Sequence, residues 1–174
     1  MTRYSPDIFE RNLHDEIIFL LFDIGNFFNK KGDLIAKKAG LTTLQWIVLL
    51  HIAREPNLPI VQDGGSPNAG VLASEIAANR GVSRANISQV ISILNNNGFI
   101  SQADHPMDRR RKVLHITNKG INALKSIQDE RRFLNDRLFE IIPSQNQLIL
   151  VESLKDLLET VSDFPHVSDT ESTE

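Results

Sequence analysis

Large apolar side chains recur at steps of three and four along much of the chain, the spacing that gathers them on one face of an α-helix. Phe9, Leu13, Ile17, Leu20, Ile24 and Phe27 form the first such stripe, widened by Leu21 and Phe28. They predict a helix over residues 7–31, started at Ser5-Pro6-Asp7 and stopped at Gly32. So broad an apolar face at the edge of the chain predicts burial against something else, a second copy being one candidate. A second helix is expected from a cap at Thr42 or Thr43 to about Glu55, with Pro56 ending it. Leu44, Trp46, Ile47, Val48, Leu49, Leu50 and Ile52 leave it little polar face, which predicts a central position. Residues 56–70 hold three Pro and three Gly and read as a loop, long for a helix connection and expected to be mobile around Asp63 to Asn68.

A short third helix follows over Val71–Asn79, with Leu72, Ile76 and Ala77 inward. Gly81 suits the left-handed residue that ends it, and Ser83 suits the cap of a fourth helix over Arg84–Asn97. Ile87, Val90, Ile91 and Leu94 share that helix's inner face. Two helices joined by a short turn containing Gly form a helix-turn-helix. After Asn95-Asn96-Asn97-Gly98 the period changes to two. Phe99–Ala103 and Lys112–Ile116 alternate as the strands of a hairpin, with a basic loop at its tip. Thr117 caps a fifth helix to about Ile142, whose stripe of Ile121, Leu124, Ile127, Leu134, Leu138 and Ile141 is interrupted at Arg131. Pro143 breaks it, and Ser144 with Gln147 is a capping-box pattern for a sixth helix. Leu148, Val151, Leu154, Leu158 and Val161 are expected to line its buried face, and the polar, acidic residues 165–174 to be disordered.

Composition changes the picture in one respect. Over 174 residues, 41% hydrophobic and 24% charged residues are ordinary for a soluble globular chain. No apolar run reaches the ~18 residues that a membrane-spanning helix needs. The first residues hold no apolar signal core, and with cysteine absent neither disulfides nor thiolate metal sites are available; a cytoplasmic location is the default expectation. The net charge of −3 looks wrong for a nucleic-acid binder until it is divided. Residues 70–120 carry seven Lys/Arg against three Asp/Glu, and the rest of the chain carries twelve against nineteen. The positive charge is an island, and phosphate binding needs a basic surface rather than a basic protein.

The island holds the candidate chemistry. Arg84, Asn86 and Gln89 lie in the first turns of the fourth helix, away from its apolar face. Arg can fork to the O6 and N7 of guanine, and Asn or Gln to the N6 and N7 of adenine. Ser83 and Ser88 are short hydroxyls suited to phosphate. Taken alone this is any surface helix, since polar outer faces are the norm. The run Arg109, Arg110, Arg111 and Lys112 alters that reading. Four cations at one hairpin tip repel one another, whereas a narrow minor groove attracts such a group. Asp108 is placed to pair with one of the arginines, or with Arg84, and so to orient the tip. The five histidines show no metal-ligand spacing, Gly64-Gly65 lacks the residues of a phosphate loop, and no nucleophile–base pair is visible. No metal, cofactor or enzymatic activity is therefore expected.

Residues 41–140 resemble the multiple-antibiotic-resistance regulator (MarR) family of winged-helix repressors. The resemblance rests on LASEIAANRGVSRANISQVISILNNNGFI at 72–100 and DHPMDRRRKVLHITNKG at 104–120, above all on Asp108-Arg109-Arg110 followed by a strand and Thr117-x-x-Gly120. It implies a mainly α fold with a small β-hairpin wing, in which residues 1–40 and 121–164 are dimerisation helices around a winged helix-turn-helix at 41–120, with 165–174 as a tail. It also implies a homodimer on a pseudopalindromic operator, released by a small, often aromatic, effector. On that pattern Arg110 enters the minor groove and Asp108 orients the wing. This chain departs from the pattern at Gln89 and Ile93, where basic residues are common, at Arg80, usually apolar, and in the length of residues 56–70. Phe19, Phe22, Trp46 and His51 are candidates to line an effector pocket, although core or dimer packing is the favoured reading, since buried aromatics usually just pack. A winged-helix module that binds protein rather than DNA is the alternative reading.

Overall fold

The computed structural model describes residues 10–58 and 70–162. The expected start at Ser5-Pro6-Asp7, Phe9 of the first stripe, most of the 56–70 loop and the tail at 165–174 lie outside the described residues. Six helices and a three-stranded sheet follow in the order α1 (Leu13–Lys38), α2 (Thr43–Ile52), β1 (Val71–Leu72), α3 (Ala73–Arg80), α4 (Arg84–Asn96), β2 (Ile100–His105), β3 (Asp108–Ile116), α5 (Asn118–Phe139) and α6 (Ser144–Ser162). The mainly α architecture with a small β wing is the one expected.

Helix α1 differs from its prediction at both ends. Asn12 caps it by accepting the His14 N–H, and it runs straight through Gly32 to Lys38. Gly32 is buried, and a Cβ there would sit 3.0 Å from the Thr43 methyl, so the glycine is a contact point with α2 rather than a stop. Only the last turns of α1 reach the body, through Gly32, Ile35 and Ala36. The predicted stripe from Leu13 to Phe28 is largely exposed in the single chain.

Helix α2 is central, as its composition requires, with Trp46, Val48, Leu49, Leu50 and Ile52 buried. Thr42 and Gln45 form a reciprocal capping box at its start. It ends three residues before the predicted limit. Arg54 adopts a left-handed φ of 55° and Pro56 plays no part in the ending. The Arg54 guanidinium donates to the Gly70 carbonyl at 2.9 Å, tying the end of α2 to the start of β1.

The sheet is larger than a hairpin. Val71 and Leu72, expected in the third helix, pair with Leu114 and Val113 as an antiparallel edge strand, giving the order β1-β3-β2. Such a two-residue strand has no local signature, because its only support is the distant β3. Gly70 makes it possible: its φ is +69°, and a Cβ would come within 2.0 Å of a Val113 methyl carbon. Ile76, Ala77, Ile87, Val90, Ile91, Leu94, Ile100 and Leu114 complete one core with α2.

Helix α5 is capped by Thr117, which accepts the Gly120 N–H at 3.2 Å. Its apolar stripe is mixed in outcome: Ile127 is buried, Leu124 and Leu134 pack against the core, and Ile141 lies beyond the helix and is exposed. Arg131 interrupts the stripe because it is ion-paired at 3.3 Å with Glu55, at the far end of α2. The capping box predicted for α6 does not form. Ser144 is its first residue, and the Gln147 amide donates backward to the Phe139 and Ile142 carbonyls that α5 leaves open. Leu148, Val151, Leu154, Leu158 and Val161 are exposed, not buried as expected. No described helix is long and apolar enough to cross a membrane.

Candidate nucleic-acid interface

The start of α4 is built by local chemistry. Gly81 ends α3 at φ 59°, and Ser83 caps α4 by accepting the Asn86 N–H at 3.2 Å. Ile87, Val90, Ile91 and Leu94 turn inward. By helical geometry that leaves Ser83, Arg84, Asn86, Ser88 and Gln89 exposed together on the outer side, where the sequence placed them. The Ser83 oxygen is engaged by its own helix as an acceptor, so toward a phosphate it can act only as a hydroxyl donor.

The wing differs from a basic loop on two strands. Strand β3 begins at Asp108, so the cationic run belongs to a strand and the turn itself is Pro106-Met107. Asp104 pairs with Lys112, and His105 with Asp108, so Arg109, Arg110 and Arg111 stand opposite no residue of β2. Such a bulge bends the strand and re-aims its side chains. Arg110 and Arg111 are exposed. Asp108 orients the wing through the backbone: its Oδ1 accepts the Arg110 N–H at 3.0 Å, and its described partner is neither Arg84 nor a guanidinium. The Lys112 ammonium is ion-paired with Asp104. The wing therefore offers less free charge than four cations suggest, and Arg110 and Arg111 are its exposed described arginines. His105 Nδ1 accepts the Met107 N–H at 3.2 Å and braces the turn.

A clamp at the other end of α4 was not foreseen. Lys119 donates to the Asn97 carbonyl at 2.7 Å and lies 4.8 Å from the centre of the Phe99 ring. The Thr117 hydroxyl reaches the Gly98 carbonyl at 2.7 Å. Gly120 comes so close that a Cβ would be 2.3 Å from the Phe99 carbonyl. The Thr117-x-x-Gly120 pattern thus locks the first turn of α5 to the last turn of α4. A cation at the negative end of the α4 dipole adds to the attachment.

The four pocket candidates are not brought together. A groove of about 450 Å³ opens between α1, α2 and α5, and of the four only Trp46 lines it. Phe19 and Phe22 sit exposed at least two turns before the part of α1 that touches the body. His51 lies five residues beyond Trp46, about 140° around the helix, and is buried in the core with its Nε2 unpartnered. Burial, assisted by the nearby Arg80 charge, holds its pKa below the ordinary histidine value. The groove's other lining residues include Phe27, Phe28 and Leu138, with Lys31, Arg131 and Arg137 as its charged members. At Glu55, burial pushes the carboxyl up, but the Asn57 amide and Arg131 outweigh it and the pKa falls below the ordinary value.

A capped helix presenting polar side chains beside a braced cationic hairpin, joined by an antiparallel sheet, defines a winged helix-turn-helix protein. Known proteins narrow the class. The family model for MarR matches residues 39–111, from just before α2 into β3. The chain is 31% identical over 108 residues to the transcriptional activatory protein BadR of Rhodopseudomonas palustris, an alignment covering 62% of this chain and 56% of that one. The chain thus spans about half the length of this relative. Its fold is similar to that of CouR from Rhodococcus jostii bound to p-coumaroyl-CoA (TM-score 0.69, 22% identity, 91% of this chain and 99% of that one). It is equally similar to a MarR-family regulator from Listeria monocytogenes complexed with DNA (TM-score 0.68, 20% identity, 89% and 91%).

Proposed function

We propose that the protein is a homodimeric, DNA-binding transcriptional regulator, acting as a repressor that a small aromatic effector releases from a pseudopalindromic operator. The observation that carries this is the exposed polar start of α4 together with the exposed arginines on the bulge of β3. One element is shaped for base edges and the other for a phosphate-lined minor groove. The fold-level likeness to a regulator complexed with DNA supports the same reading. In it, Arg84, Asn86 and Gln89 read bases, Ser83 and Ser88 meet phosphate, and Arg110 enters the minor groove with Arg109 and Arg111 beside it. Asp108 sets the wing, and Lys112 contributes least, being held by Asp104.

The dimer follows from the apolar stripes that α1 and α6 leave exposed. Two helices of this kind on one chain need a partner with the same requirement, and a second copy supplies it with two-fold symmetry. Two α4 helices about one DNA turn apart, ~34 Å, would then match a symmetric site. An effector in the groove between α1, α2 and α5 sits where arms meet reading head, and favours a dimer with a different spacing.

Selection of bound fragments from random DNA tests the reading directly. An inverted repeat with half-sites one turn apart is expected. Absence of any salt-sensitive complex would refute it and favour the protein-binding alternative.

A further inference from the structure

Large apolar side chains are left exposed in two parts of the described chain. Most lie on α1, α5 and α6 or in the turn between the last two, and the proposed dimer draws on those arms. Ile93 and Met107 do not. Ile93, on α4, is 37% exposed, whereas Met107, at the wing turn, is 89% exposed, more than any other large apolar side chain described. A single apolar residue on a surface is ordinary. What sets Met107 apart is how it is held. Pro106 before it has a locked φ. Its own N–H donates to His105 Nδ1 at 3.2 Å, and the Asp108 carboxylate after it accepts the Arg110 N–H at 3.0 Å. The turn is therefore braced on both sides, with an apolar tip and the exposed Arg110 and Arg111 behind it. The two acids beside the tip are already engaged, Asp108 by that backbone bond and Asp104 by the Lys112 ammonium.

We propose that Met107 is a wedge: the wing seats it between two bases in the minor groove, unstacks that step and kinks the duplex. This rests on the reading of the protein as a DNA-binding regulator, and adds to it a distortion of the DNA and a further source of specificity. The occupant is argued from charge. Arg110 and Arg111 draw the turn to a polyanion, and a narrow minor groove has the enhanced negative potential that attracts such side chains. The side chain that leads the turn into that groove is not a cation but a thioether. Apolar side chains inserted from the minor groove, Met among them, partly unstack a base step and bend the duplex toward the major groove. Met is unbranched and polarizable, so it adapts to the irregular space between two base faces, and its apolar surface leaves water in doing so. A mobile turn would fold such a side chain back; the braces at His105 and Asp108 hold it forward. Pyrimidine–purine steps yield most easily. The wing then selects for a flexible step at a position whose base edges α4 does not touch.

The full chain and a duplex recovered by selection from random DNA test the wedge. The duplex carries 2-aminopurine, which brightens when it leaves the stack, in place of each adenine in turn. The wild type is expected to raise its fluorescence several-fold at one step in each half-site, and to bend the duplex by at least about 20° in phased-bend electrophoresis. Met107→Ala is expected to remove both signals and weaken binding several-fold. Its slope of log affinity against log salt is expected to stay that of the wild type, because no phosphate contact is lost. Met107→Leu is expected to keep both signals, since the wedge needs an apolar side chain of that length and not its sulfur. A wild-type complex with every base stacked and a straight duplex would overturn the proposal, as would a Met107→Ala complex as bright and as bent as the wild type. The two readings fail separately. Salt-sensitive complexes in which the bases stay stacked would sink the wedge alone, whereas a chain that forms no such complex with any DNA would sink the regulatory reading and the wedge with it.

Discussion

Gly70 and His51 show how single residues constrain this fold. At Gly70 the backbone takes a left-handed φ in a space that a Val113 methyl already fills. Gly70→Ala must strain the backbone and displace β3, which predicts a loss of about 1–3 kcal/mol in chemical denaturation; an unchanged midpoint would show that the sheet yields freely. His51 is buried with an unpartnered Nε2 and a lowered pKa. The folded state therefore prefers the neutral ring, while the unfolded chain takes up a proton near pH 6.5. Below that pH the unfolded state binds more protons, so stability is full above it and declines as the pH falls toward the folded pKa. Melting temperatures measured from pH 7.5 to 5 are expected to fall in the wild type and to fall less steeply in His51→Leu. Local chemistry made several residues legible in advance: in ending or capping their helices, Gly81, Ser83 and Thr117 act on backbone groups within four residues, although Thr117 also bonds the distant Gly98 carbonyl. Gly32 and Gly70 were not legible, because the atoms that require them lie on α2 and β3.

Among the elements, the wing invites the most direct measurement. Arg110 is exposed on the bulge and its N–H is fixed by Asp108, so it is the arginine whose backbone is best placed in advance. If it neutralises one phosphate contact, Arg110→Ala lowers the slope of log affinity against log salt by about one unit; an unaltered slope would remove it from the interface. Lys112→Met is expected to change the slope less, since Asp104 already holds that ammonium. The inner and outer faces of α4 could be read from a 3.6-residue period alone. The wing could be read only as a basic hairpin. Its bulge depends on register, which the alternation of residues 99–103 and 112–116 does not fix across Asp108 to Arg111. Strand β1 was invisible for a related reason: two residues carry no period, and ValLeu continues the apolar pattern of the helix that follows.

At the scale of the whole molecule, the apolar stripes of α1 and α6 are the feature that one chain leaves unresolved. Leu20 and Leu154 are both about half exposed, at 53% and 41%. Introducing Glu at both positions is expected to yield a monomer by light scattering, with the helical content of the winged core retained and operator affinity lost; a variant that remains dimeric would place the interface elsewhere. The sequence showed these faces as apolar, yet periodicity reports that a face wants burial and not what buries it. The same gap separates Trp46, which lines the groove, from Phe19, Phe22 and His51, which do not.

The clamp between α5 and the end of α4 has a mechanical consequence. Helix α5 spans 22 residues, a rod of roughly 33 Å at the usual rise per residue. Because Lys119, Thr117 and Gly120 fasten one end of that rod to the reading helix, it works as a lever arm. A tilt of about 10° at one end moves the other by roughly 6 Å, close to the rise of two base pairs. On the proposed reading, a tilt of that size would change the separation of two α4 helices by about two base-pair steps.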